Sequence, residues 1–159
     1  MEWQIKQFNQ LDIHELYSIL KLRVEVFVVE QNCPYPEIDD CDQEAIHLMY
    51  VSNNQLEAYC RMIPAGEKYS LCSIGRVIVK EEARGKGLAR ELMNRAIEEI
   101  EKQWDVDTIQ ICAQSHLQKF YRSVGFHTIS DEFDEDGIPH VYMTRERVKS
   151  VEWYYLGYR

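Results

Sequence analysis

The clearest chemical sense in this chain sits in the stretch Arg84-Gly85-Lys86-Gly87-Leu88-Ala89. It follows the β-branched run Val77-Ile78-Val79, which reads as a buried strand, and it leads into a long amphipathic segment that reads as a helix. At a helix start the first backbone N–H groups lack partners and the macrodipole is positive, so a phosphate placed there meets several donors at once. Gly85 and Gly87 allow conformations and a close approach that side chains would obstruct. Arg84 adds a planar cation suited to phosphate oxygens. The chemistry expected of this turn is anion binding.

Groups able to move a proton are scattered through the chain: Glu30, His47, His116 and His140. Glu30 stands next to the acidic loop Asn32–Gln43, whose carboxylates at 37, 39, 40 and 42 read as a solvated surface attractive to a cationic substrate. Arg23, Arg61 and Arg76 read as structural ion-pairing residues with buried stems. No metal set is recognised. Glu132-x-Asp134-x-Asp136-Gly137 imitates the opening of a calcium loop, but Met143 stands where that loop requires a bidentate glutamate, so an acidic hairpin is expected.

The 159 residues, 45% hydrophobic and 28% charged, fit one soluble domain with a single core. A net charge of −9 argues against a nucleic-acid binder, which needs clustered lysine and arginine, and mildly favours cationic partners such as amines. No apolar run approaches the roughly 20 residues of a membrane span, and the N-terminus lacks the pattern of a signal peptide. A cytoplasmic protein without membrane or nucleic-acid partners is expected. Cys33, Cys41, Cys60, Cys72 and Cys112 are odd in number with no Cys-x-x-Cys pair, as reduced thiols would be.

The elements that must position these groups are legible in order. Trp3–Phe8 alternates as a half-buried strand, and Asp12 with Glu15 forms a capping signal before Leu16, Ile19, Leu20 and Val24 at helical spacing. The valine-rich run 23–31 carries a further helical turn or a bend. Strands are expected at Ile46–Val51 and Leu56–Met62 around Ser52-Asn53-Asn54-Gln55, and again up to Val79. Leu88, Leu92, Ala96, Ile100 and Trp104 mark a helix face that packs on a sheet. Thr108–Ala113 completes a parallel crossover unit, Leu117–Val124 is a short helix closed by Gly125, and 126–133 pairs with 138–143.

With these elements in place, the Arg84-x-x-Gly87-x-Ala89 turn resembles the acyl-CoA pyrophosphate loop of the GNAT superfamily of N-acetyltransferases. The segment Phe120-Tyr121-Arg122-Ser123-Val124-Gly125-Phe126 is similar to that superfamily's second recurrent motif. Leu22-Arg23, the run Val26–Tyr35, Ile74-Gly75-Arg76-Val77 and Asp136-Gly137-Ile138-Pro139-His140 resemble its ElaA-like branch. The resemblance implies a single α/β domain over 1–147, a mixed central sheet flanked by helices, and a C-terminal aromatic extension over 148–159. It implies an acetyl-CoA-dependent N-acetyltransferase moving an acetyl group to a primary amine by direct transfer in a ternary complex, without metal, in a family whose members are often homodimers. By the same resemblance Val77, Ile78 and Val79 line the pantetheine arm, and Arg84, Gly85, Lys86, Gly87, Leu88 and Ala89 hold the pyrophosphate. Gln114 is a further cofactor contact, Tyr121 the acid for the departing thiolate, and Glu30 a catalytic substrate contact. Alternatives are a non-catalytic acyl-CoA-binding or partner-docking module of the same fold, or a transferase for a longer acyl group or a protein lysine.

Overall fold

Asp12 and Glu15 cap the first helix reciprocally: Asp12 Oδ1 accepts from the Glu15 N–H (2.7 Å) and Glu15 Oε1 from the Asp12 N–H (2.9 Å). That helix, α1 (Ile13–Arg23), follows strand β1 (Glu2–Gln7) and runs into a π-helical segment, Val24–Glu30. There the N–H groups of Gln31 and Cys33 reach back to the carbonyls of Val26 and Val28 (3.2 and 3.0 Å). The ambiguous valine run is thus a widened turn, a form that is rare and recurs at functional sites. The computed structural model describes residues 1–148. The expectations for the C-terminal aromatic extension, Trp153, Tyr154 and Tyr155 included, lie outside the described residues.

Two hairpins follow the turn chemistry of their sequences. β2 (Ile46–Ser52) and β3 (Gln55–Ile63) are joined by Asn53-Asn54, and β7 (Phe133–Glu135) and β8 (Ile138–Glu146) by Asp136-Gly137; all four turn residues have positive φ, as a primed turn requires. Between them lie β4 (Ser73–Val79), helix α2 (Leu88–Trp104), β5 (Thr108–Gln114), helix α3 (Gln118–Ser123) and β6 (His127–Thr128). The sheet order is β1-β2-β3-β4-β5-β8-β6, with β7 also on β8, and among the described residues only the β4–β5 pair is parallel. The strand expected at 126–133 is divided into β6 and β7, both paired with β8. Gly125, at φ +98°, closes α3 with the Phe126 N–H bonded to the Tyr121 carbonyl (3.1 Å).

Both faces of the sheet are covered. On one, Leu92, Met93, Ala96, Ile97 and Ile100 of α2 pack against Cys60, Met62, Ile74, Ile111 and Met143. Each fully buried side chain of this kind contributes about 1.5–3 kcal/mol. On the other, Ile19 and Leu22 of α1 and Val26 pack on Met49, Tyr59 and Ile78. Among the described residues no helix is long and apolar enough to cross a membrane.

The acidic loop 32–43 departs from its expected solvated state. Glu37 and Asp42 are buried, because three arginines reach into the loop from the scaffold. Arg23, with no exposed surface, donates to Asp42 Oδ1 (2.6 Å) and the Glu37 carbonyl (3.1 Å). Arg61 shares Asp42 Oδ1 (3.0 Å) and grips both oxygens of Asp39. Arg76 donates to Glu37 Oε2 (2.6 Å). The loop is therefore pinned against α1 and the central strands β3 and β4 by ion pairs whose charges have little access to water. His47 belongs to the same buried set: its Nε2–H donates to the Asp42 carbonyl (2.9 Å), so Nδ1 accepts from the Tyr59 hydroxyl (2.7 Å).

Removing one partner of a buried pair leaves the other uncompensated, so Asp42→Asn is expected to lower stability by about 3–5 kcal/mol in a urea titration. A loss below about 1 kcal/mol, the size of a surface pair, would contradict this account. Acid should weaken the fold in two stages. Burial lowers the pKa of His47, so protonation favours the unfolded chain once pH falls below its unfolded value of about 6.5. Burial pushes the carboxyls of Asp39 and Asp42 up, but the hydrogen bonds and charges of Arg61 and Arg23 outweigh it and hold both below the usual range. Their contribution is present above about pH 3.9 and is lost as pH falls below it. Stability measured from pH 8 to pH 3 checks both stages.

Candidate active site

β4 and β5 are in register at one pair alone, Ser73 with Gln110, where the Gln110 N–H also reaches the Cys72 carbonyl (2.9 Å). Beyond it they diverge. β4 carries a bulge at the same place: its pairing with β3 slips between Ile78 and Gly75, and Arg76 there has φ +51°, unusual for a residue with a side chain. The Lys80 N–H turns toward β3, donating to the Glu57 carbonyl (2.8 Å). By the alternation of a strand's backbone groups, Val79 and Val77 then face the gap. Along this gap lies a cavity of about 820 Å³ lined by residues from both faces of the sheet.

On the α2 face the cavity meets the glycine turn. Gly87, at φ +80°, is the N-cap of α2, and no side chain caps the helix there. The first-turn N–H groups therefore remain available to an anion. Gly85 also has positive φ (+83°), and a Cβ at either glycine would meet no atom within 4 Å, so backbone conformation rather than space selects glycine. Arg84 is fixed beside them, Nε donating to the Val79 carbonyl (2.8 Å) and Nη2 to both carboxylate oxygens of Glu30 (3.0 and 3.1 Å). Lys86 is exposed, and Leu88 and Ala89 are half-buried at the helix start.

Tyr121 reaches the gap from the same face, held edge-on against Phe120 and Phe126 (centroids 5.1 and 6.2 Å). It is 8% exposed and lines the cavity, and among the described residues its hydroxyl has no hydrogen-bond partner. Burial, with smaller effects of Cys60 and Cys112, pushes its pKa well above the usual phenol range, so it carries its proton at neutral pH.

The opposite face presents a different wall. Ile111 and Ala113 of β5 and Val141 and Met143 of β8 point into the α2 core, so their neighbours Cys112, His140 and Tyr142 lie on the other side. Glu135 joins them from β7, its Oε2 3.3 Å from Cys112 Sγ and 3.7 Å from His140 Nε2. Tyr69 and Tyr142 meet edge to face (5.9 Å), and Phe133 packs on Tyr142 (4.7 Å). The buried ion-pair network brings Tyr35 and Asp39 to the same space, and the Cys33 thiol ties loop to hairpin through the Asp136 carbonyl (3.2 Å).

The structure thus gathers Val77, Ile78, Val79, Arg84, Ala89, Gln114, Tyr121 and Glu30 around one cavity. Gln114 donates to Gln31 Oε1 across its mouth (3.2 Å). Glu30, expected to touch substrate, is drawn to the glycine turn by Arg84. Of the histidines, His116 and His140 line the cavity and His47 is locked in the fold. Cys112, Glu135, Tyr35 and Tyr69 were not singled out, since no local pattern marks side chains that converge from separate strands and loops.

Forcing an ordinary residue into left-handed backbone costs about 1–2 kcal/mol. Gly87→Ala should therefore lower the melting temperature and weaken binding of an anionic ligand at the turn together. Retention of both would mean that the turn adapts without loss.

Comparison with known proteins identifies the fold and the family. The family model described as an acetyltransferase (GNAT) domain matches residues 15–147. ElaA of Escherichia coli strain K12 is 40% identical over 152 residues, covering 94% of this chain and 99% of that protein. A UPF0039 protein of Schizosaccharomyces pombe is 45% identical over 148 residues, covering 92% and 97%. Among solved structures, an acyl-CoA N-acyltransferase from Pseudomonas aeruginosa superposes with a TM-score of 0.86 at 40% identity, covering 91% of this chain and 99% of that one. The crystal structure of Escherichia coli ElaA gives the same four values. These relatives match the chain in sequence and fold over nearly their whole length, and the chain belongs to the GNAT acetyltransferase family.

Proposed function

We propose that this acyltransferase moves an acetyl group from acetyl-CoA to a primary amine by direct attack within a ternary complex. The observation that carries the proposal is the single register pair between β4 and β5, which turns the Val77 backbone and the Val79 N–H toward a cavity with an anion-ready turn at one side. An extended pantetheine arm has amide groups that can complete such an edge, much as an added strand does. In this reading the diphosphate lies on the N–H groups of Gly85 to Ala89, with Arg84 beside it and Glu30 acting to position Arg84.

The acceptor enters from the opposite face. Its ammonium gives a proton to His140, which Glu135 faces, and the free amine attacks the thioester carbonyl. The Val79 N–H stabilises the developing oxyanion. Collapse of the tetrahedral intermediate breaks the C–S bond, and the CoA sulfur takes a proton from the Tyr121 hydroxyl, which later recovers one from solvent. The raised pKa of Tyr121 ensures that the proton is present; burial keeps water from competing for it. The aromatic walls at Tyr35, Tyr69 and Tyr142 and the Glu135 carboxylate suit a cationic acceptor better than an acidic one.

General acid catalysis is worth about 10²–10⁴-fold, so Tyr121→Phe is expected to lower CoA release by at least that lower bound while acetyl-CoA affinity, read by calorimetry, stays within about twofold. Unchanged turnover would remove Tyr121 from the mechanism. His140→Gln should lower kcat/KM for the amine while acetyl-CoA affinity is kept; a rate identical to the parent chain's would transfer the base role elsewhere. The broader test is a screen of small amines, amino acids and peptides for CoA release, and absence of turnover alongside acetyl-CoA binding would favour a sensor of the same fold.

A further inference from the structure

The proposed reaction leaves Cys112 without a task, yet its thiol sits with Glu135 and His140 in a tight group. Among the described residues, one ligand atom from each lies within 4.8 Å of the other two. The separations are 3.3 Å from Cys112 Sγ to Glu135 Oε2 and 3.7 Å from that oxygen to His140 Nε2. Zinc bonds of about 2.0–2.3 Å in a tetrahedron place neighbouring ligand atoms about 3.3–3.7 Å apart.

The orientation of the histidine matches as well. His140 Nδ1 is 2.7 Å from the Ile138 carbonyl, which can only accept. In the neutral ring the proton is therefore on Nδ1, and the Nε2 lone pair faces the Glu135 carboxylate with no proton between them. Two acceptors turned toward each other are joined either by a proton on Nε2 or by a metal cation. A metal-binding histidine typically donates its other N–H to a carbonyl in this way, which fixes both tautomer and ring plane. The chain anchors the three residues on adjacent strands β5, β7 and β8, so the group is held by sheet hydrogen bonds rather than by a free loop.

We propose that Cys112, Glu135 and His140 form a three-ligand site for Zn2+, or a divalent transition ion of like chemistry, on the acceptor face of the cavity. Thiolate, imidazole and carboxylate together select such ions over Mg2+ or Ca2+, which require oxygen ligands. Binding removes the Cys112 proton to solvent and forms the metal–sulfur bond; no electron is transferred. The fourth position opens into the cavity. An ion there also occupies the Nε2 lone pair and the carboxylate that would receive the acceptor, so it blocks acetyl transfer. That blocking role rests on the proposed transferase reading, while the metal site itself does not.

Co2+ titrated into the reduced full-length chain tests the site directly, because a thiolate-bound cobalt ion gives a near-ultraviolet charge-transfer band and tetrahedral visible bands. One equivalent is expected to bind, with Zn2+ displacing it. Cys112→Ser should abolish the charge-transfer band, His140→Ala should weaken binding at least about tenfold, and Cys41→Ser should leave the spectrum unchanged. Absence of the band in the parent chain overturns the proposal, as does a band that survives Cys112→Ser. Should Cys112→Ser fail to fold by circular dichroism, an unaltered titration of folded His140→Ala would overturn it equally. In the CoA-release assay Zn2+ should slow the parent chain at least about tenfold and Cys112→Ser less than about twofold. Equal slowing of both overturns the blocking role, whereas cobalt binding in a chain without turnover supports the metal site and sinks the transferase reading alone.

Discussion

A parallel strand pair that keeps one point of contact and then lets go is the constraint from which the rest of this molecule follows. Sheet backbone buried without partners is costly, so a gap between β4 and β5 persists only if its edges face solvent or a ligand and if the strands are held apart. Here the bulge at Arg76 turns β4 away from β5. The π-helical segment and the loop 32–43 fill the space on one face, and Tyr121 and Phe120 fill it on the other. The cavity is a consequence of pairing that the fold refuses to complete.

What maintains that refusal is largely electrostatic. Arg23, Arg61 and Arg76 come from α1, β3 and β4, and all three converge on carboxylates of one loop. Three guanidiniums set against the carboxylates of Glu37, Asp39 and Asp42 balance charges that none could bury alone. Such networks add little net stability compared with apolar packing, but they specify geometry strongly, because each misplacement leaves an unpaired charge. The loop therefore serves as part of the cavity wall, and Arg76 links the bulge directly to it.

Much of the fold was legible because local signals and global packing agree. The capping box at Asp12, the Asn53-Asn54 and Asp136-Gly137 turns and the apolar stripe of α2 each declare their element within a few residues. The glycine turn was legible for the same reason, since both its glycines and its helix lie in one short stretch. The valine run was not, because β-branched residues favour neither a strand nor a regular helix when tertiary contacts decide. The loop's acids looked solvated because nothing in their neighbourhood announces that Arg23, Arg61 and Arg76 return from distant elements. The same holds for Cys112, Glu135 and His140, whose convergence depends on the register of β5, β7 and β8 and on which face each side chain takes. Glu30 lines the cavity, but its partner Arg84 is 54 positions away, so nothing local announces their pairing.

Helix α2 shares one apolar core with both halves of the divided sheet, Met62 and Ile74 on one and Ile111 and Met143 on the other. It is therefore the keel of a pair of tongs whose pivot is Ser73 and Gln110. Any widening at the jaws must roll the helix or slide side chains over it, and a close-packed interface resists both. The width of the jaws is thus set by the volumes of Leu92, Met93, Ala96, Ile97 and Ile100, far from any reacting atom, so a single methylene gained or lost along that keel alters the grip on whatever the jaws hold.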